Sequence, residues 1–305
     1  MIKMFSIRKF LIATLLLLVA LILYNFPKEL EQNIEDIKYD NINIFLIDSN
    51  NYVAMTSILS ESNTFDEKLN TVIDGLTIGK VKLPGGFSPV IPKGTKLLSY
   101  SLSDGLLKVN FSKDILNVTA ENEDRMIQCL IYSLTSFDEV QKIMIFVENE
   151  LMSELPNSHK KLGLYLDRDY GVNKVVDISK ITGTQMVTVY YLSTEGSNYY
   201  IPISYVTNND NEKIEIIIES LRSNKVNSSN LSSHLDYQVE LMNYDKVDDE
   251  FFLNFNDALL SSIYEGKLDE EVKYALSYSI FDTYDVQNVI FQVNSNKIDE
   301  LRLAK

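Results

Sequence analysis

The sequence predicts an α+β protein: an N-terminal transmembrane helix followed by two repeated β-β-α-β-β-α-β sandwich modules. Three observations carry this. Phe10 to Phe26 is an apolar run without a charge. Beyond it, strand-like alternation and helical periodicity follow one another in a fixed order. That order occurs twice, at an offset of 144–146 positions.

The apolar run has seventeen residues, close to the minimum that crosses a bilayer core as a helix. Lys3, Arg8 and Lys9 precede it, and Glu29, Glu31, Glu35 and Asp36 follow. The positive-inside rule then sets the N-terminus in the cytoplasm and the rest outside. Tyr24-Asn25-Phe26-Pro27 is too bulky for a signal cleavage site. An uncleaved anchor over residues 1–27 and a polar tether over 28–40 are expected.

Each element then recurs. Ile42–Ile47 and Val187–Leu192 alternate as strands, and turn-rich Asp48–Asn51 and Thr194–Ser197 lead into second strands near Tyr52–Ile58 and Tyr199–Val206. Leu69, Val72, Ile73 and Leu76 mark one face of a helix, as do Ile214, Ile217, Ile218 and Leu221. Thr64-x-x-Glu67 is a capping box for the first of these helices, and Asp210 is the expected N-cap of the second. Hairpins follow: Leu97–Leu102 and Leu106–Phe111 around Asp104-Gly105, then Tyr237–Met242 with Phe251–Phe255. A second helix carries Met126, Leu130 and Leu134, matched by Val272, Leu276 and Ile280. Val140–Val147 and Val286–Val293 close the units as strands. Two helices on one sheet face are expected in each module. The modules occupy residues 41–150 and 184–305, joined by a segment over 151–183 that is too long for a bare linker.

Net charge narrows the partners. The chain carries −15 overall, and the three basic residues before Pro27 leave −18 for the remainder. So acidic a body repels phosphate backbones, which excludes nucleic acid as a partner. The single cysteine, Cys129, rules out an internal disulfide.

Several residues resemble a known family. Ile91-Pro-Lys-Gly-Thr-Lys-Leu-Leu-Ser99, Ser103-Asp-Gly105, Val109-Asn-Phe-Ser112, Gln128–Thr135 and Phe137 resemble the GerM sporulation and germination domain. Gly171-Val-Asn-Lys174, Val189-Tyr-Tyr191 and Ile201-Pro202 are similar to its tandem form. Asn110 stands where that family more often has Asp, and the second copy lacks Ile-Pro-x-Gly-Thr. The resemblance implies a non-enzymatic assembly factor outside the cytoplasm, in sporulation or spore germination. Its implied partners are envelope or sporulation-channel proteins, in the cell membrane or the intermembrane space of the developing spore. The layout is also similar to ring-building motifs, which makes a homo-oligomer one expected state.

Candidate chemistry is sparse. His159 and His234 are the two histidines, without a Cys-x-x-Cys to complete a zinc site. Cys129 aligns with Ala275, which suits a small packing position. Gly75-Leu-Thr-Ile-Gly-Lys80 has one residue too few between its glycines for a phosphate loop, and Val81 replaces the hydroxyl residue. Gly79 reads as a helix stop. Asp167–Asn173 lacks the spacing of a calcium loop. Asp248-Asp249-Glu250 and Asp269-Glu270-Glu271 are adjacent acids, whereas a glycosidase needs two held across a cleft. No catalytic, cofactor or metal residue is assigned, and no cofactor is expected. The one interaction surface expected is a tyrosine cluster on the first hairpin of the second copy: Tyr190, Tyr191, Tyr199, Tyr200 and Tyr205. A cell-wall ligand-binding or hydrolytic protein with an acidic cleft between the modules is the alternative.

Overall fold

The computed structural model describes residues 14, 15, 17, 40–60, 64–194, 198–223 and 230–303. The expected span over Phe10–Phe26 and the tether over 28–40 thus lie outside the described residues, but for Thr14, Leu15, Leu17 and Asp40, which opens the first strand. Among the described residues no helix is long and apolar enough to cross a membrane.

The first copy runs β1 (Asp40–Asp48), β2 (Val53–Ser60), α1 (Phe65–Leu76), β3 (Phe87–Ser88), β4 (Leu97–Ser103), β5 (Leu106–Phe111), α2 (Glu123–Leu134), β6 (Lys142–Val147) and β7 (Glu150–Leu151). The connecting segment holds a 3₁₀ turn over Arg168–Tyr170 and β8 (Val175–Asp177). The second copy repeats the order: β9 (Gln185–Ser193), β10 (Tyr200–Thr207), α3 (Lys213–Ser223), β11 (Leu231–Ser232), β12 (Leu241–Val247), β13 (Glu250–Phe255), a small β14–β15 hairpin (Ile263–Tyr264, Lys267–Leu268), α4 (Glu270–Thr283), β16 (Asn288–Val293) and β17 (Asn296–Arg302).

Local signals explain most starts and stops. Thr64 caps α1, with its Oγ1 donating to Glu67 Oε2 at 2.8 Å while accepting from the Glu67 N–H. Asp104 and Gly105 take φ of 50° and 73°, the conformation of a tight hairpin turn. Asp269 caps α4 by accepting from the Glu271 and Val272 amides. Two starts differ from expectation. Asp210 is not the cap of α3, because Asn209 Oδ1 holds the Asn211 amide at 3.0 Å in a turn and the helix opens at Lys213. The hairpin strand expected at Tyr237–Met242 begins instead at Leu241, because Asp236 Oδ1 turns the chain by accepting from the Gln238 amide at 2.7 Å. The helix α1 ends at Leu76 with Thr77 as its C-cap, and Gly79 lies in the turn beyond.

The strands do not divide as one sheet per copy. The hairpins β1–β2 and β9–β10 share a single sheet of order β11-β9-β10-β2-β1-β3, with β8 added on β10. The later strands form two separate four-stranded sheets, β4-β5-β6-β7 and β12-β13-β16-β17. So the expected sandwich, with two helices on one sheet face, is replaced by a hairpin, two helices and a further sheet gathered round each core. In the first core Ile44 and Leu46 meet Leu69, Leu76, Val109, Phe111, Leu130 and Ile145, all buried. The second core repeats this with Val189, Tyr191, Ile217, Leu221, Leu253, Phe255, Leu276 and Phe291.

The shared sheet is joined about a pseudo-two-fold axis. The strands β2 and β10 run antiparallel and pair at Met55 and Tyr200. These two residues are 145 apart, so they are the same position of the repeat. Such self-equivalence is the mark of an isologous interface, here within one chain. Two positions on in that register Val53 would face Pro202, and Pro202 has no N–H to give. Asn173 fills the gap: its Oδ1 accepts from the Val53 amide (2.9 Å), and its Nδ2 donates to the Val53 and Pro202 carbonyls (both 2.8 Å). The Gly171-Val-Asn-Lys174 stretch therefore works as a splice between the copies. The earlier part of the connecting segment packs on the first copy, burying Met152, Leu155 and Leu166 in its core, while β8 pairs with β10 of the second.

Candidate functional site

Two places gather side chains beyond ordinary core packing. One is the junction between the copies. The other is a groove beside β12.

At the junction the 3₁₀ turn delivers Arg168 to the C-terminal end of α2, where exposed carbonyls favour a cation. Arg168 donates to Thr135 Oγ1 at 3.0 Å and to the Tyr132 carbonyl at 3.5 Å, and its guanidinium lies 4.9 Å from the Tyr132 ring centre. From the second copy Asp282 meets it as an ion pair, and the Tyr190 hydroxyl lies 3.4 Å away. The Asp282 side chain is 1% exposed and that of Arg168 27%. Burial opposes the guanidinium charge, but the Asp282 carboxylate together with Tyr190 and Tyr132 outweighs it and the Arg168 pKa is raised. Around this pair Tyr190, Tyr200, Tyr274 and Tyr278 interlock, with ring centres 5.4–6.2 Å apart. The space in which an inter-module cleft would open is thus occupied by aromatic rings, and Asp282 there is neutralised.

A matched pair of hydrogen bonds frames the junction. Ser133 Oγ accepts from the Phe45 amide at 2.8 Å, and Ser279 Oγ accepts from the Tyr190 amide at 2.9 Å. Each amide belongs to a strand whose neighbour, β3 or β11, is only two residues long. The helix hydroxyl completes the edge that the short strand leaves bare. Both serines lie in a repeated dipeptide, Tyr132-Ser133 and Tyr278-Ser279, which is their signal in the sequence.

The tyrosine cluster expected to form a contact surface is mostly interior. Tyr190, Tyr191 and Tyr205 are buried. The Tyr191 hydroxyl lies 2.9 Å from that of Tyr205 and donates to the Ser220 carbonyl at 3.3 Å. Tyr199 is half-buried against Phe87 (4.8 Å) and donates to Asp48 Oδ2 at 3.0 Å, tying the second hairpin to the first. Tyr200 is half-buried in the junction. Alternation misled here because every residue from Val187 to Ser193 is buried, so β9 is covered on both faces.

The remaining candidates are placed apart. His159 lies beside Glu154 and His234 beside Glu271, each at 3.1 Å, in positive-φ turns. Cys129 is buried within α2, and burial pushes its thiol pKa up, which suits an inert packing role. Among the described residues no group of three or more His, Cys, Asp or Glu side chains is placed to hold a metal.

The groove lies between α3 and β12, with a volume of about 450 Å³. Ile218, Leu241, Met242 and Tyr244 line it together with the acids Glu215, Glu219 and Glu240. Arg222 is also in the lining, and its Nε and Nη2 donate to the Tyr237 carbonyl at 3.0 and 2.6 Å.

Together these features define a class: a tandem α+β protein whose two copies are fused through their first hairpins into one body. Comparison with known proteins agrees. Residues 43–153 match the family described as Germane: Sporulation and spore germination. The chain is 28% identical over 259 residues to the spore germination protein GerM of Bacillus subtilis (strain 168), covering 82% of this chain and 70% of that protein. The fold is similar to the tandem GerMN domains of the sporulation protein GerM from Bacillus subtilis, with a TM-score of 0.76 at 24% identity, over 85% of this chain and 92% of that one. The resemblance to the GerM-domain family in its tandem form is borne out.

Proposed function

We propose that this chain is a non-enzymatic assembly protein of the bacterial envelope that acts in sporulation or spore germination. The sporulation role follows from its similarity to GerM over most of its length. The observation that carries the non-enzymatic reading is the junction, where tyrosine rings occupy the space and Arg168 neutralises Asp282. A hydrolase working between the modules would need free carboxylates set across an open cleft. The charge pattern around Phe10–Phe26 supports a single membrane span, with the N-terminus cytoplasmic and the acidic body outside. Its partners are then envelope proteins.

Cross-linking in the native cells under sporulation conditions tests this. The expected result is specific capture of envelope proteins, with no cleavage of muropeptides by the purified chain. Turnover of muropeptides by that chain overturns the reading.

A further inference from the structure

We propose that the groove between α3 and β12 receives an extended, basic segment of a partner protein, laid along β12 as an added strand. This deepens the assembly reading and rests on it, naming the surface and the chemistry of what it binds.

The first observation is the open edge. The strand β12 is hydrogen-bonded to β13 and ends the sheet order β12-β13-β16-β17. A terminal strand presents a row of N–H and C=O groups able to pair with another chain. The register against β13 is regular from Asn243 to Val247, and the one irregularity falls before it, at Met242. There the chain bulges, and Met242 is 60% exposed. Val247, at the far end, is 50% exposed. Apolar side chains therefore stand at both ends of a pairing edge with a helix alongside. Peptides that add a strand use this combination, with the backbone supplying affinity and side-chain pockets supplying choice.

The second observation is charge. Three acids, Glu215, Glu219 and Glu240, line the groove against one base, Arg222, which donates to the Tyr237 carbonyl. The body as a whole is strongly acidic. A segment carrying lysine or arginine complements this field, and an acidic one is repelled.

The third observation is a difference between the copies beside this strand. Phe65 opens α1 and packs its ring 5.9 Å from Tyr100 and 5.2 Å from Phe137. The counterpart of Tyr100 is Tyr244, but the counterpart of Phe65 is Asp210, which brings no ring. Tyr244 instead donates to Glu212 Oε2 at 2.7 Å. The ring that Phe65 lays beside Tyr100 in the first copy is thus missing beside Tyr244, a lining residue of the groove in the second.

The test uses the full chain and a fluorescein-labelled decapeptide of alternating lysine and valine, with binding read by anisotropy and by amide exchange. Saturable binding is expected, with slower exchange at Asn243–Val247. The double substitution Glu215→Lys/Glu219→Lys, on exposed helix positions, is expected to weaken it by about tenfold or more. A decapeptide alternating lysine and glycine carries the same charge and is expected to bind about tenfold more weakly, since it brings no apolar side chains. Absence of binding, equal binding of both peptides, indifference to the double substitution, or protection away from β12 overturns the proposal. Each of those outcomes leaves the assembly reading in place, because that reading falls on muropeptide turnover.

Discussion

Arg168 and Asp282 form an ion pair across the two copies, one from the connecting segment and the other from the end of α4. Because Asp282 is almost fully buried, the arginine holds a charge that has no access to water. Arg168→Met is expected to lower stability by about 3 kcal/mol, the cost of leaving a buried carboxylate unpaired. Arg168→Met/Asp282→Leu is expected to regain much of that, because removing both charges also removes the desolvation penalty. Urea denaturation of the three proteins measures it, and equal losses in single and double variants would count against the pairing.

Ser133 and Ser279 are expected to be equivalent. Alanine at either position leaves a buried strand amide, of Phe45 or Tyr190, without its acceptor. Each substitution should cost about 1–3 kcal/mol. Faster exchange of that one amide in each variant, followed by NMR, checks the mechanism separately from the loss of stability.

Glu123 predicts an acid sensitivity. Its buried carboxylate accepts from the Asn157 and Ser158 amides at 2.8 and 2.9 Å, pinning the connecting segment to α2. Burial raises its pKa, but the hydrogen bonds from Ser158 and Asn157 outweigh this and lower it from the ordinary 4.5. A lowered folded-state pKa gives stability that is complete above the unfolded value and lost as pH falls below it. Asp124 is shifted the same way: burial raises its pKa, and Lys160, Tyr170 and Gln128 together lower it further. Melting temperature should therefore drop as pH falls through and below 4.5, and Glu123→Gln should flatten that dependence. The variant is also expected to lose about 2 kcal/mol at neutral pH.

Tyr191 distinguishes core from contact surface. Tyr191→Phe is expected to cost about 1 kcal/mol, for the hydroxyl shared with Tyr205 and Ser220. Tyr191→Ala should cost about 4 kcal/mol as a cavity. Neither should change cross-linking to envelope partners at temperatures where the variant stays folded.

What was legible in the sequence was local. The face carried by Leu69, Val72, Ile73 and Leu76, the Thr64 capping box and the Asp104-Gly105 turn all depend on neighbours within a few residues, and each is found where the pattern set it. The repeat itself was legible because both copies solve the same packing problem. What escaped was non-local. Nothing near Met55 announces that its strand will pair with β10 rather than with β4–β7. The burial of Tyr190 and Tyr191 follows from covering β9 on two faces, which alternation within one strand cannot reveal. Asp210 and the strand at Tyr237 failed for a smaller reason: Asn209 and Asp236 offered their side chains to nearby amides and bent the chain first.

The pairing of Met55 with Tyr200 has a consequence for how the protein meets dilution. Two single-module chains joined along that edge would separate as their concentration fell. Here the second partner is tethered through Asn173 and the connecting segment, so its effective concentration is set by the length of that tether and not by abundance in the cell. A tethered pair also escapes a symmetry requirement, because its halves need not be the same. One half is free to keep Phe65 beside Tyr100, while the other gives up that ring and lines a groove with Tyr244. Duplication within one chain thus permits a division of labour that a dimer of identical subunits could not adopt.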